Sequence, residues 1–365
     1  MKALNQYMCD SSQMTKIKTW LAAYDGPDIS IMEVCGSHTA AISKYGISGL
    51  LSEKLHLISG PGCPVCVTPT AYIDRLIELS MEEKTTVVTF GDLLRVPGRE
   101  KSLAEAKGEG ASVEMVYSPM DLLPLAKKEP EQRFVFAAVG FETTAPVYAM
   151  LLEQLIAENI ENVQLLTALK TMPPVIGWLC ENGSEIDGFL APGHVAAVTG
   201  AELFAPLAKR YQVPFGVAGF GAQELLVAVY GTFRAVVEHR ENGVTPTVKN
   251  YYPSVVTEQG NMTAKMAVEQ YFEPSDALWR GMGVIKGSGR LLRSQYACFD
   301  AGSAELLEDH KKNRACRCDQ VLMGRCLPHD CPLFGSVCTP MNPQGACMVS
   351  EEGSCHQYLM YHRIR

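Results

Sequence analysis

No uninterrupted apolar run of about 18 residues occurs in this chain, which argues against a membrane-spanning helix. The opening MKALNQYMCDSSQMTKIKTW lacks the apolar core of a secretory signal. Basic residues are not in excess: 32 Lys and Arg face 40 Asp and Glu, a formal charge of −8 with a pI of about 5.6. That balance argues against nucleic acid or an anionic membrane as the main partner. A Walker phosphate loop is missing as well; GMGVIKGSGR has the wrong spacing, follows no convincing strand and reads as a glycine-rich connection. What remains is the composition of a soluble globular protein, 47% hydrophobic and 20% charged, expected in the cytoplasm. There its 13 cysteines would stay reduced or bind metal.

At 365 residues the chain is long for one core, so two or three domains are expected. ISIMEV, LHLISG, TTVVTF and VEMVYS read as short strands, with TPTAYIDRLIELSMEEK and SPMDLLPLAKKE as helices between them. From Arg133 a second set follows: RFVFAAVG, NVQLLTA, DGFLAPG and VPFGVAG, separated by the helices APVYAMLLEQLIAEN and PPVIGWLCENG. This alternation predicts α/β architecture: two parallel-sheet domains facing a cleft, residues 27–132 and 133–250, without a close internal repeat. Past Asn250 the alternation fades into a helix, SVVTEQGNMTAKMAVEQYFEP, and a loop-rich, cysteine-rich segment. Residues 251–365, with an N-terminal helix from residues 1–26 packed on them, are the expected third unit, held by a metal centre because apolar bulk is scarce.

Cys35 follows the strand ISIMEV directly, and Gly36-Ser37-His38 opens the next helix, with Ser37 placed to cap it. A sulfur beside unpaired N–H groups and an imidazole favours thiolate, a soft iron ligand at a strand end where α/β sheets place ligands. The plainer reading is a buried core cysteine. Cys63 and Cys66 in GPGCPVCVTP have C-x2-C spacing, which suits a redox disulfide or, with Cys35 and His38 added, a zinc clip. Pro64 within the motif and Pro69 after it resemble tuned disulfide loops and favour the redox reading.

In GFETTAP, Glu142 lies at a sheet's carboxyl edge, placed for proton handling or cation binding, with a solvated loop glutamate as the plain alternative. His194 in APGHVAAVTG reads as a capping or packing histidine. Both turns are expected on the same cleft as Cys35.

Cys318, Cys331, Cys338 and Cys355 are separated by twelve, six and sixteen residues. Four thiolates are the usual complement of a [4Fe–4S] cluster, and a zinc ribbon would show two short C-x2-C knuckles that this segment lacks. Cys298, Cys316, Cys326 and Cys347 blur the choice of ligands.

EVCGSH, GPGCPVCVTP, GFETTAP and the tail with CPLFG, CTP, MVS and EGSC, in that order and over nearly the whole chain, resemble the hydrogenase maturation factor family HypD. The resemblance implies two α/β domains and a [4Fe–4S] domain. It implies a scaffold, formed with a HypC-type partner, on which the iron of [NiFe] hydrogenases receives cyanide and carbon monoxide, the cyanide coming from a HypE-type donor. Such a protein is an accessory factor rather than a metabolic enzyme. Carried onto this sequence, Cys35 would hold the nascent iron with His38 beside it, and Cys63 and Cys66 would be the thiol–disulfide pair. Cys318, Cys331, Cys338 and Cys355 would hold the cluster, while GFETTAP (with Glu142) and APGH would line the cleft. Cys9, Cys180 and Cys298 fall in no family motif and read as structural. An iron–sulfur-dependent disulfide reductase and a zinc-stabilised interaction protein are the competing functions.

Overall fold

The computed structural model describes residues 11–182, 185–305, 309–310 and 313–361; Cys9 lies outside them. Among the described residues eleven strands form two sheets: β1 Ile29–Glu33, β2 Leu55–Ser59, β3 Thr85–Thr89, β4 Val113–Met115, β5 Arg133–Gly140, β6 Val163–Lys170, β7 Gly188–Pro192, β8 Phe215–Ala218, β9 Val248–Asn250, β10 Phe272–Trp279 and β11 Gly283–Leu292. The first eight fall on the eight strands predicted from the sequence. The central strands are buried on both faces, as covered parallel strands require: β7 and β8 are buried at every position, β5 at all but its first. The edge strands β2 and β4 are buried only at their first positions.

One sheet has the order β2-β1-β7-β8-β9, all parallel. The other runs β10-β11-β6-β5-β3-β4, parallel except for the β10–β11 hairpin at its edge. The sheets therefore do not divide the chain at 132/133 or 250/251. β1 pairs with β7 across the first expected boundary, β3 pairs with β5, and β11 pairs with β6 across the second. A strand–helix rhythm reports local elements, whereas the choice of neighbouring strand is made by packing. The chain crosses between the sheets after β2, returns at β7 and crosses again before β10.

Two further expectations change. The N-terminal helix, Ser11–Ala23, packs on the first sheet rather than on the cysteine-rich unit. Its Ile17 and Leu21 share a core with Ile29, Ile31, Leu225 and Phe233, and Trp20 meets Tyr230 edge-on at 5.2 Å. The segment around GMGVIKGSGR is a β-hairpin, not a connection. Its strands carry a proline, Pro274, and a register shift between Ser275 and Ala277, features tolerated at a sheet edge that mask a strand in sequence.

The cysteine-rich segment is built of short helical turns joined by loops. Rather than closing a core of its own, it joins the core between the sheets: Cys316, Cys318, Cys338, Cys347 and Cys355 are packed in one cluster with Met32, Val67, Phe141 and Trp279. Among the described residues no helix is long and apolar enough to cross a membrane.

Candidate functional site

β1 and β2 pair in parallel with Glu33 opposite Ser59, so the turns after them leave the sheet side by side. Cys35 occupies the extended position before the Gly36–Lys44 helix, and Cys63 occupies the same position before the short Pro64–Val67 helix. The two turns are joined by backbone. Gly36 N–H donates to Gly62 O at 2.9 Å, and Gly60 N–H donates to Glu33 O at 2.8 Å. A Cβ on Gly62 would lie 2.2 Å from the Cys35 nitrogen, so only glycine permits this approach.

Cys35 is 7% exposed. Its N–H donates to Glu33 Oε2 at 3.0 Å, and the Thr39 hydroxyl donates to Glu33 Oε1. Burial pushes the Cys35 thiol up to about 12, helped by the nearby Glu33 and Glu352 carboxyls and opposed by the His38 and Ser37 N–H groups. The expected resting thiolate is thus not favoured, because desolvation outweighs the helix end. Ser37 is not the cap either. Its hydroxyl donates to Glu352 Oε1 at 2.6 Å, tying this turn to the C-terminal segment. His38 is fully buried and faces the other way, its Nε2 at 3.2 and 3.1 Å from the carbonyls of Ala218 and Gly219. Burial holds the imidazole down at about 4, hence neutral. His38 stacks on Phe220 at 4.6 Å, and His194 stacks on the same ring at 3.8 Å, so the APGH turn does reach the Cys35 side.

At the second turn, Cys66 N–H donates to Cys63 Sγ at 3.2 Å. Burial pushes the Cys63 thiol well up. Burial pushes on Cys66 in the same direction, but hydrogen bonds from Cys347 and Cys63 and the Arg280 guanidinium override it and hold this thiol well below the ordinary range. Cys347 also lies within hydrogen-bond reach of Cys355 and Cys318, the latter at 2.8 Å between sulfurs. A line of sulfurs therefore runs from Cys63 through Cys66 and Cys347 to Cys318 and Cys355.

Cys318, Cys331, Cys338 and Cys355 are all buried, and the field at Cys316 is shaped by Cys318, Cys331 and Cys338 together. Cys338 Sγ accepts from Gln344 N–H at 3.3 Å. Soft sulfurs in a dry nest with backbone donors to them would suit a [4Fe–4S] cluster, which they would hold as thiolates. Cys316 and Cys347 lie in the same nest, so it holds more sulfurs than four. Among the described residues no three His, Cys, Asp or Glu side chains converge on a single-ion site, and His38 faces the sheet, which leaves the zinc clip without its tetrahedral set.

Glu142 lies elsewhere. Its Oε1 accepts from Met172 N–H at 2.7 Å, its Oε2 is buried without a partner, and burial raises the carboxyl to about 7, so it is not a solvated loop residue. It lines a cavity of about 380 Å³ with Thr171, Val198 and Arg290, to which Cys35, His38, Cys63 and Cys66 contribute nothing. The expectation of one shared cleft fails for GFETTAP because β5 belongs to the other sheet.

Sequence reasoning missed Glu33, Glu352, Arg280 and the bridging position of Cys347. Glu33 had a signal, a carboxyl inside an apolar strand. Arg280 was hidden in the unrecognised hairpin.

Two adjacent cysteine turns on one α/β sheet, set against a buried cysteine nest, define a thiol-rich site. The HypD family model, described as "Hydrogenase formation hypA family", matches residues 11–362. The chain is 41% identical over 341 residues to hydrogenase maturation factor HypD of Escherichia coli, covering 91% of this chain and 89% of that one. It is 40% identical over 345 residues to HypD1 of Bradyrhizobium diazoefficiens (92% and 90% covered) and 37% identical over 377 residues to HypD of Azotobacter vinelandii (100% and 98%). The chain belongs to the HypD family of hydrogenase maturation factors.

Proposed function

We propose that this protein is the scaffold on which the iron of a [NiFe] hydrogenase acquires cyanide and carbon monoxide. Iron is the cargo: Cys35 holds it together with a thiolate of a HypC-type partner, and a HypE-type partner supplies the cyanide. Cys318, Cys331, Cys338 and Cys355 would hold a [4Fe–4S] cluster, which when bound supplies single electrons. The Cys63–Cys66 pair stores two electrons and releases one proton, that of Cys63, as its disulfide forms from the Cys66 thiolate. Strong-field ligands make the iron low-spin, and a soft thiolate complements it. The observation that carries this reading is the backbone contact between the two cysteine turns, continued by the sulfur line from Cys66 through Cys347.

Infrared spectroscopy on protein isolated with its partners tests it, since metal-bound cyanide and carbonyl absorb where protein is silent. Bands are expected in the wild type and absent in Cys35→Ser. Their persistence in the variant would move the iron to another ligand. A second reading, a cluster-dependent disulfide reductase, is favoured by the opposite shifts of the two thiols of the C-x2-C pair, Cys63 pushed up and Cys66 held down. It predicts iron and sulfide in the protein without those bands.

A further inference from the structure

Arg280 follows the β10 strand directly, at the turn of the hairpin, and is only 7% exposed. Its hydrogen bonds go to neutral oxygens of one loop. The backbone N–H reaches Val67 O at 2.9 Å, Nε reaches Cys66 O at 3.1 Å, and Nη1 reaches the Thr70 hydroxyl at 2.8 Å. Nη2 is buried and has no partner. A buried guanidinium held only by neutral oxygens is costly unless an anion is near. The turn is built to keep it there: Gly281 has φ +71°, its N–H donates to Asp309 Oδ2 at 2.9 Å, and a Cβ on it would lie 2.1 Å from the Asp319 Cβ. Asp309 Oδ1 in turn accepts from Thr70 N–H at 3.0 Å, closing the frame around the loop. Arg280 also lines a small space with Cys316 and Cys318. It thus stands between the C-x2-C loop and the cysteine nest.

We propose that Arg280 is the fixed counter-charge of the reduced Cys63–Cys66 pair, keeping the negative charge on Cys66 and so setting the reduction potential of the pair. This rests on the redox reading of Cys63 and Cys66 given above. The other charges acting on this region are Asp309, whose carboxyl frames the loop beside Arg280, Asp92 and Glu352, which oppose a Cys66 thiolate, and Lys170, whose ammonium Arg280 itself disfavours. Arg280 is a positioning residue: it acts through the sulfur and touches no cargo. With oxidised glutathione as oxidant, Cys66 S⁻ and Cys63 S–H form one S–S bond while the glutathione S–S bond breaks. Two electrons pass to glutathione, and the Cys63 proton leaves with one of the two thiols released. Stabilising the thiolate stabilises the reduced side of this exchange, so the cation raises the potential.

The test is a glutathione redox titration of the full-length protein, with acid trapping and mass spectrometry of the peptide that carries Cys63 and Cys66. Arg280→Gln is expected to require about tenfold more reducing conditions at the midpoint, which for a two-electron couple is about 30 mV. Arg280→Lys, which keeps the charge, should restore most of that shift. Thr70→Val, which removes one clamp hydrogen bond and no charge, should stay within about threefold of wild type. An Arg280→Gln midpoint equal to wild type overturns the proposal, as does a Thr70→Val shift as large as that of Arg280→Gln. If Arg280→Gln does not fold, Arg280→Met, which keeps the apolar stem and removes the charge, takes its place with the same two outcomes, and a tenfold shift in Thr70→Val removes the counter-charge. A wild-type pair that never forms a disulfide sinks the redox reading itself, a result distinct from an unmoved midpoint in the variant.

Discussion

Cys35 and Cys66 stand on turns that leave adjacent parallel strands and touch through their backbones, and both sulfurs are buried. One thiol is pushed up and the other is held down. Each lies in or beside a helical turn, so the helix end does not explain the difference. Its partial charge is worth about 0.3–1 kcal/mol at exposed sites, too little against desolvation of a fully buried sulfur. Cys35 has only N–H groups of its own helix to set against burial, with Glu33 and Glu352 working the other way. Cys66 has two neighbouring thiols and a guanidinium. Specific donors and a fixed cation decide the state of a buried thiol. On the function proposed above, the consequence is a division of labour: Cys35 would keep its proton until a metal displaces it, as thiol ligands do, whereas Cys66 would be charged beforehand.

The contact between the turns is where the comparison breaks most severely. Gly62→Ala places a methyl 2.2 Å from Cys35 N and 2.4 Å from its Cα, both backbone atoms at the end of a core strand. A loss of more than about 4 kcal/mol in urea denaturation is expected. Gly49→Ala, with open space around its Cβ, should stay within about 0.5 kcal/mol. A Gly62→Ala protein as stable as wild type would mean that the turns are not packed as described. Next in size is Cys331→Ala, which takes one sulfur from the nest. Iron–sulfur absorption should be lost while far-ultraviolet dichroism keeps most of its α/β signal. The exposed Cys298→Ala should change neither. Full iron and sulfide in Cys331→Ala would exclude that residue as a ligand.

How much of this was legible in the sequence follows from what each signal measures. The strands β1 to β8 were readable from apolar runs bounded by Gly, Pro or Asp, which report burial on both faces in central strands such as β5, β7 and β8. Which sheet each strand joins was not, since Val87 pairing with Val135 and Met32 with Phe189 are choices made in three dimensions. β10 and β11 escaped because Pro274 and the glycines at 281, 283, 287 and 289 look like loop. The cysteine turns were readable as motifs, and their side-by-side placement follows from parallel pairing of successive strands. The charge states were not, because Arg280 and Cys347 lie more than 200 residues from Cys66 along the chain.

Glu142 sharpens the same contrast with a carboxyl in place of a thiol. The residue is half-buried but its Oε2 is shut away from solvent; it has a backbone donor, Met172 N–H, and burial of the carboxyl wins, raising it to about 7. A group raised in the folded state contributes stability that is complete below its ordinary value of 4.5 and is lost as pH rises through 7. Lys170, lowered to about 7, acts with the opposite slope above that window. Melting temperatures compared at about pH 5 and pH 7 should therefore fall less in Glu142→Gln than in wild type. Equal falls would show that Glu142 is not desolvated in the folded protein.

The smallest effect is expected at Cys35 itself. Cys35→Ala removes a neutral thiol, so no charge is stranded and the void is one sulfur in size. The residue 35 N–H still donates to Glu33 and the Gly36–Gly62 hydrogen bond is untouched, because both are donated by backbone atoms. A change of about 1 kcal/mol or less is expected, with iron and sulfide content equal to wild type because the cysteine nest is built by other segments. Chemical denaturation alongside metal analysis checks both at once. A loss of several kcal/mol would mean that the Cys35 sulfur carries charge in the resting fold. Cys35 and Cys66 would then be alike, and the division of labour drawn from their difference would fall.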